Sequence, residues 1–243
     1  MNPIVLARHV RDGLADYAQT TFPMTNKPFK GSIQALAQQG TGLALDPFVS
    51  VKLPFRTAGK HAPWPFASIP RRYQPYAHQM QAFSRIQAGE STLVATGTGS
   101  GKTECFLYPI LDYCYQQRRL GNRGIKAVLV YPMNALASDQ AKRLAQLING
   151  SDELRTNVTA GMYVGMQSQG RNNASTRMGE DTIISDHAAL LKNPPDILLT
   201  NYKMLDYLLV RPEDSQLWHD NEPDTLKYFV VDELHTFDGA QGT

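Results

Sequence analysis

The order of apolar runs along this sequence predicts an α/β fold built on a parallel sheet. Three observations carry the prediction. Short aliphatic runs alternate with helical stretches. A glycine-rich segment, TGTGSGKT at 96–103, stands between one such run and a helix, and another run, KYFVVD at 227–232, ends in a carboxylate followed directly by a second. Five strands are expected. Residues 91–96 (STLVAT) lead into a helix starting near Gly101, and 126–131 (KAVLVY) lead into a helix over 134–147. Residues 158–164, 196–200 (DILLT) and 227–232 complete the set, and the polar, glycine-bearing 167–181 reads as a mobile surface loop.

Ahead of this pattern, Val5, Leu6, Val10, Leu14 and Tyr17 recur at helical spacing, so a helix is expected over 4–17. Residues 21–72 carry Pro23, Pro28, Pro47, Pro54, Pro63, Pro65 and Pro70, which remove amide donors and argue against long regular elements. The expected division is an irregular and helical accessory segment over 1–70 and a main domain over 71–243.

The 243 residues suffice for a full core, and a net charge of +2 is too small to mark a nucleic-acid binder or to exclude one. Cys105 and Cys114 fit neither a zinc pair nor a disulfide framework and read as reduced, helix-borne apolar residues. Arg8, His9, Arg11 and Asp12 break up the N-terminal apolar residues, and no later run is long enough to span a bilayer. A cytoplasmic location without membrane attachment is the expectation.

The loop 96–103 carries the first piece of chemistry. Gly97, Gly99 and Gly101 let the backbone curl so that successive amides, with those of Thr98 and Ser100, face inward to phosphate oxygens at a helix N-terminus. Lys102 would reach the β- and γ-phosphates of ATP and the Thr103 hydroxyl would ligate Mg²⁺. Thr96 stands where the strict phosphate-loop pattern has glycine. In VVDELH, Asp232 is placed to hold the Mg²⁺ through water and Glu233 to orient or deprotonate the attacking water. An acidic pair that ends a strand often only caps a turn; its position about 130 residues beyond a phosphate loop gives it the catalytic reading.

These motifs together resemble those of superfamily 2 helicases of the DExH type, and three further segments follow that family's order. His78-Gln79 lies where such helicases carry the glutamine that reads adenine, with Trp64, Phe66, Tyr73 and Tyr76 as alternative stacking partners. YPMNALASDQ, at 131–140, resembles motif Ia, with Pro132, Asn134, Ala135 and Leu136 as the strand-contacting positions. LLTNYKML, at 198–205, resembles motif Ib, in which Thr200, Asn201 and the next helix start meet the same strand. Gly165 fills the glycine position between them. NPPDILLTNYKMLDYLLVRPEDSQLW and DELHTFDGAQGT are similar to segments of the large Mrf/Hrq-type repair and defence-associated helicases.

The resemblance implies a RecA-like parallel sheet, a DNA-stimulated ATPase and a nucleic-acid partner, DNA before RNA. It also implies that a Ser-Ala-Thr motif, an arginine finger and a second motor domain lie outside these residues. The strand that carries the Ser-Ala-Thr motif in the family runs between the phosphate-loop strand and the DELH strand. An incomplete sheet is therefore expected, with no pairing between 91–96 and 227–232, and ATP turnover by these residues alone is expected to be poor. An RNA helicase and a non-catalytic remnant that binds nucleotide or strand remain the alternative readings.

Overall fold

The structure, a computed structural model, describes residues 3–39, 53–165 and 174–237. These form two compact units divided after Pro54. The first unit contains α1 (Pro3–Thr21), a 3₁₀ turn at Lys27–Phe29, and α2 (Ser32–Gln38). α1 contains the helix expected over 4–17. α2 forms within the proline-rich region because its own seven residues, SIQALAQ, contain no proline.

The second unit starts at Phe55, so Trp64, Phe66 and Ile69 belong with the main core. Trp64 and Phe66 pack edge-to-face against each other and against Phe83 and Tyr108, and Trp64 Nε1 donates to the Ile69 carbonyl at 2.7 Å. Phe83 lies on α3 (Ala77–Gln87) and Tyr108 on α4 (Lys102–Arg119).

The sheet is parallel, in the order β2-β3-β1-β4. Its strands are β1 (Ala127–Tyr131), β2 (Ala160–Tyr163), β3 (Ile197–Asn201) and β4 (Tyr228–Val231). Parallel strands are covered on both faces, which is why AVLVY and ILLT read as unbroken apolar runs. Leu129, Tyr131 and Leu199 face α4, α5 (Asn134–Asn149) and α6 (Asp152–Asn157). Val128, Val130 and Leu198 face the opposite way, onto Leu190 of α7 (His187–Lys192), Met204 and Leu208 of α8 (Tyr202–Val210), and Leu217.

The strand ends opposite the glycine loop are stapled by Asp196, which has no exposed surface. Its carboxylate accepts from Arg118 Nε at 2.6 Å, Lys126 Nζ at 2.8 Å and the Thr159 amide and hydroxyl at 2.8 and 2.9 Å. One side chain thus joins the last turn of α4 to the residues that enter β1 and β2.

Four of the five expected strands form, within one or two residues of their expected limits. The fifth does not. Residues 91–96 take no regular structure; Thr92, Val94 and Thr96 are half-buried and the alternate residues exposed, yet they pair with no described strand. The expected absence of pairing with the DELH strand is what the structure shows. A cleft of about 970 Å³ separates 91–97 from β4, floored by Phe106 and Ile110 of α4. Leu93 and Phe229, on its two sides, stay 76% and 57% exposed. The burial of 91–96 alternates with the period of two expected of a strand, but a strand also needs a ladder partner.

Because Tyr228 and Asp232 donate their amides to β1, those of Phe229 and Val231 point to the open edge. Amide hydrogen exchange should find Phe229, Val231 and Leu93 exchanging orders of magnitude faster than Val128 and Leu198. Equal protection across β4 and β1 would mean that the edge is closed.

The polar loop expected over 167–181 lies outside the described residues up to 173, and the end of DELHTFDGAQGT, 238–243, lies outside them too.

Candidate nucleotide site and strand-facing helix ends

The glycine loop adopts the conformation its composition requires. Gly99 and Gly101 have φ of +77° and +73°, the left-handed region that costs other residues strain. Gly101 is the N-cap of α4, so the loop runs directly into the helix N-terminus, the end that favours anions. Lys102 Nζ donates to the Thr96 carbonyl at 3.2 Å, across the loop. The Thr96 hydroxyl lies 2.6 Å from that of Ser100, so the residue that departs from the strict glycine pattern braces the loop from inside. Thr103 is half-buried in the first turn of α4.

α3 holds the loop from below. His78 Nε2 lies 3.0 Å from the Ser100 carbonyl and Gln79 Nε2 donates to the Gly101 carbonyl at 3.0 Å, while Gln79 Oε1 accepts the Tyr76 amide at 2.9 Å. Gln79 is buried and already partnered at both ends, so its first role here is to tie the start of α3 to the phosphate loop. A purine edge would have to use its second amide hydrogen and remaining lone pair. Gly101→Ala tests this brace: a Cβ there would stand 2.4 Å from Gln79 Nε2 on a positive-φ backbone. The variant should keep its far-ultraviolet circular dichroism while nucleotide affinity falls at least about tenfold, the equivalent of one displaced hydrogen bond at the phosphates; unchanged affinity would show that the loop tolerates the displacement.

Of the aromatic residues expected to stack on a base, Phe66 is in the core and Trp64 packs against it, so neither is available. Tyr73 shares a hydrogen bond of 2.8 Å with Tyr108. Tyr76 stacks on His78, and Phe55 packs on both with its ring edge 3.6 Å from the position of a Cβ on Gly97. Phe55 went unnoticed in the sequence because nothing in its Pro-rich surroundings distinguishes it.

Asp232 follows the end of β4, with Oδ1 accepting the Glu233 amide at 2.9 Å. Burial pushes its carboxyl above the usual carboxylate range and the Glu233 charge adds to this, while the Glu233 amide, Lys102 and Arg143 draw it back. Glu233 is held at φ 51°, ψ 46°, the one non-glycine residue with positive φ among those described. Strain at such a position is a known companion of functional sites. His235 Nδ1 lies 3.4 Å from Glu233 Oε2. Thr96, Gly97, Lys102, Asp232, Glu233 and His235 all line the 970 Å³ cleft, so the two separated motifs meet.

Among the described residues no three His, Cys, Asp or Glu side chains gather as a metal cage. The donors that are present, Thr103 and Asp232 beside a phosphate cradle, suit Mg²⁺, which keeps its waters and takes one or two protein oxygens plus substrate phosphates.

At the same sheet end, α5 and α8 begin directly after β1 and β3. Asn201 caps α8 by accepting the Met204 amide at 2.8 Å and donates to Asn134 Oδ1 at 2.7 Å, which joins the two helix starts. Ala135 is exposed, and Pro132, Asn134 and Leu136 are half-buried, with Leu136 leaning on the core. Thr200 needs correction. It has no exposed surface and its hydroxyl donates to the Tyr163 carbonyl at 2.7 Å, so its side chain cannot reach a strand and instead joins β3 to β2. Gly165 follows β2, 3.7 Å from Met204 Sδ if given a Cβ. Both cysteines are buried and free, and burial raises the Cys105 thiol to about 12, as expected of inert core residues.

A parallel sheet with a phosphate loop opening α4 and a carboxylate pair after a neighbouring strand defines a P-loop nucleotide-binding domain. The chain belongs to the DEAD/DEAH box helicase family, whose model matches residues 76–243. It is 32% identical over 168 residues to the ATP-dependent helicase YprA of Bacillus subtilis, covering 69% of this chain and 19% of that protein. It is 23% identical over 340 residues to the Druantia protein DruE of Escherichia coli, covering 97% and 18%. The crystal structure of the DUF1998 helicase MrfA bound to DNA and AMPPNP matches with a TM-score of 0.52 and 28% identity, over 76% of this chain and 23% of that one. The similarity to the Mrf/Hrq group of superfamily 2 helicases stands on these matches. The chain spans about a fifth of the length of such relatives. No described helix is long and apolar enough to cross a membrane.

Proposed function

We propose that this chain is the ATP-binding and strand-contacting half of an ATP-dependent DNA helicase or translocase. The observation that carries the reading is that Lys102 and the Asp232–Glu233 pair, about 130 residues apart in sequence, line one cleft beside a helix-capping glycine loop. Lys102 exchanges the Thr96 carbonyl for the β- and γ-phosphates of ATP. Thr103 and Asp232 would hold Mg²⁺, which when bound would supply charge neutralisation on the transferred phosphate. Glu233 orients the attacking water. Asn134, Ala135 and Asn201, at the linked starts of α5 and α8, offer helix N-termini to the phosphates of a strand. The MrfA complex with DNA favours DNA over RNA as that strand.

The test is ATP turnover and nucleotide binding by the purified chain with no nucleic acid, with single-stranded DNA, and with RNA of the same sequence. DNA should stimulate turnover and RNA should not; the reverse order identifies an RNA motor. Nucleotide binding without turnover under all three conditions would identify a non-catalytic binder.

A further inference from the structure

Arg143 connects the nucleotide loop to the helix whose start faces the strand. It lies on α5 nine residues after Asn134, about 13 Å along the axis. Its guanidinium reaches across to Glu104 in the first turn of α4, two residues after Lys102. The Glu104 side chain is 10% exposed and that of Arg143 41%. Glu104 Oε2 lies directly beneath the loop, 3.1 Å from the position of a Cβ on Gly101, and is buried without a partner. On the same face of α5, one turn before Arg143, Gln140 Oε1 is also buried without a partner. Arginine has five N–H donors, so Glu104 Oε2, on the carboxylate that Arg143 already touches, is an acceptor that the guanidinium does not yet use. The positive charge of Arg143 also acts on Asp232.

We infer that Arg143 and Glu104 are a positioning pair through which occupancy of the nucleotide loop changes the grip of α5 on a nucleic-acid strand. The inference rests on the reading that the chain binds both ligands. A triphosphate at the α4 N-terminus brings negative charge beside Glu104 and Asp232. Arg143 already touches Glu104 from α5, and the arriving charge competes with Glu104 for the guanidinium, so the contact that sets the placement of α5 changes. α5 is a rigid element, so movement at Arg143 reaches Asn134, and Asn134 carries it to α8 through its hydrogen bond with Asn201.

The experiment measures affinity of the 243-residue chain for a fluorescein-labelled oligo(dT) with and without AMPPNP, alongside affinity for labelled nucleotide alone. In the unaltered chain the nucleotide should change strand affinity by about tenfold, within the ordinary range for coupled sites. The double variant Arg143→Leu/Glu104→Gln removes the pair without leaving a buried charge unpaired. It should keep its melting temperature and both separate affinities, while the nucleotide effect falls to less than about twofold. A purely structural role for the pair would lower stability and leave the coupling of the folded fraction intact.

If the double variant does not fold, Arg143→Gln decides: it keeps an amide donor for Glu104 and loses the charge, so coupling should drop, and full coupling overturns the inference. Equal coupling in the folded double variant overturns it as well, as does an unaltered chain that binds both ligands independently. A chain that binds neither ligand refutes the proposed function, and the inference falls with it.

Discussion

Lys102→Ala is expected to lower ATP turnover by on the order of 10²–10³-fold, the usual consequence of deleting a group aimed at charge that develops in a transition state. The expectation comes from its position. Lys102 is the first residue of α4, its ammonium bridges the loop to the Thr96 carbonyl, and it faces Asp232 across the cleft. Arriving phosphates replace a neutral acceptor with an anionic one, so the lysine binds them more strongly than it binds the empty loop. Fold stability should hardly change, because only the single 3.2 Å bond to a carbonyl is lost. Steady-state hydrolysis compared with thermal unfolding separates the two effects. Equal turnover in the variant and the unaltered chain would refute the assignment of Lys102 to the phosphates.

Asp196→Ala should have the largest effect on stability, a loss of about 3–5 kcal/mol, because it removes one partner of a buried ion pair and strands the other. Lys126, with a side chain 1% exposed, would keep only the Gly124 carbonyl, and the Thr159 amide and hydroxyl would lose their acceptor. Arg118, 23% exposed, can turn to water and loses less. Urea unfolding followed by circular dichroism should show the midpoint falling and the slope unchanged. A loss below about 1 kcal/mol would mean that the site relaxes or admits water. Asp196 lies at the sheet end opposite the nucleotide, so any residual folded protein should keep its nucleotide affinity.

The contrast between these residues shows what each level of information provides. Lys102, Thr103, Asp232 and Glu233 stood out in the sequence as candidates because the chemistry proposed for them depends on local context: glycines that permit positive φ, a helix start, and a strand that ends in carboxylates. The apolar runs at 126–131, 196–200 and 227–232 were legible as well, since a parallel strand covered on both faces must be apolar throughout. Runs of that kind disclose strand conformation but not partners. Residues 91–96 have the sequence pattern and the alternating burial of a strand, and still join no ladder, because pairing depends on a neighbour that no property of STLVAT specifies.

The sequence by itself determined the glycine loop at a helix start and the alternation of strands and helices, since both follow from conformational preference and periodicity within a few residues. Only the tertiary structure decided the sheet order, the Asp196–Lys126 and Glu104–Arg143 pairs, the bracing role of Gln79 and the burial of Thr200. Those depend on contacts between residues 22 to 70 positions apart. Local preference is blind to them, because a charge or an amide becomes a partner only when the packed core brings the two sites within hydrogen-bond reach.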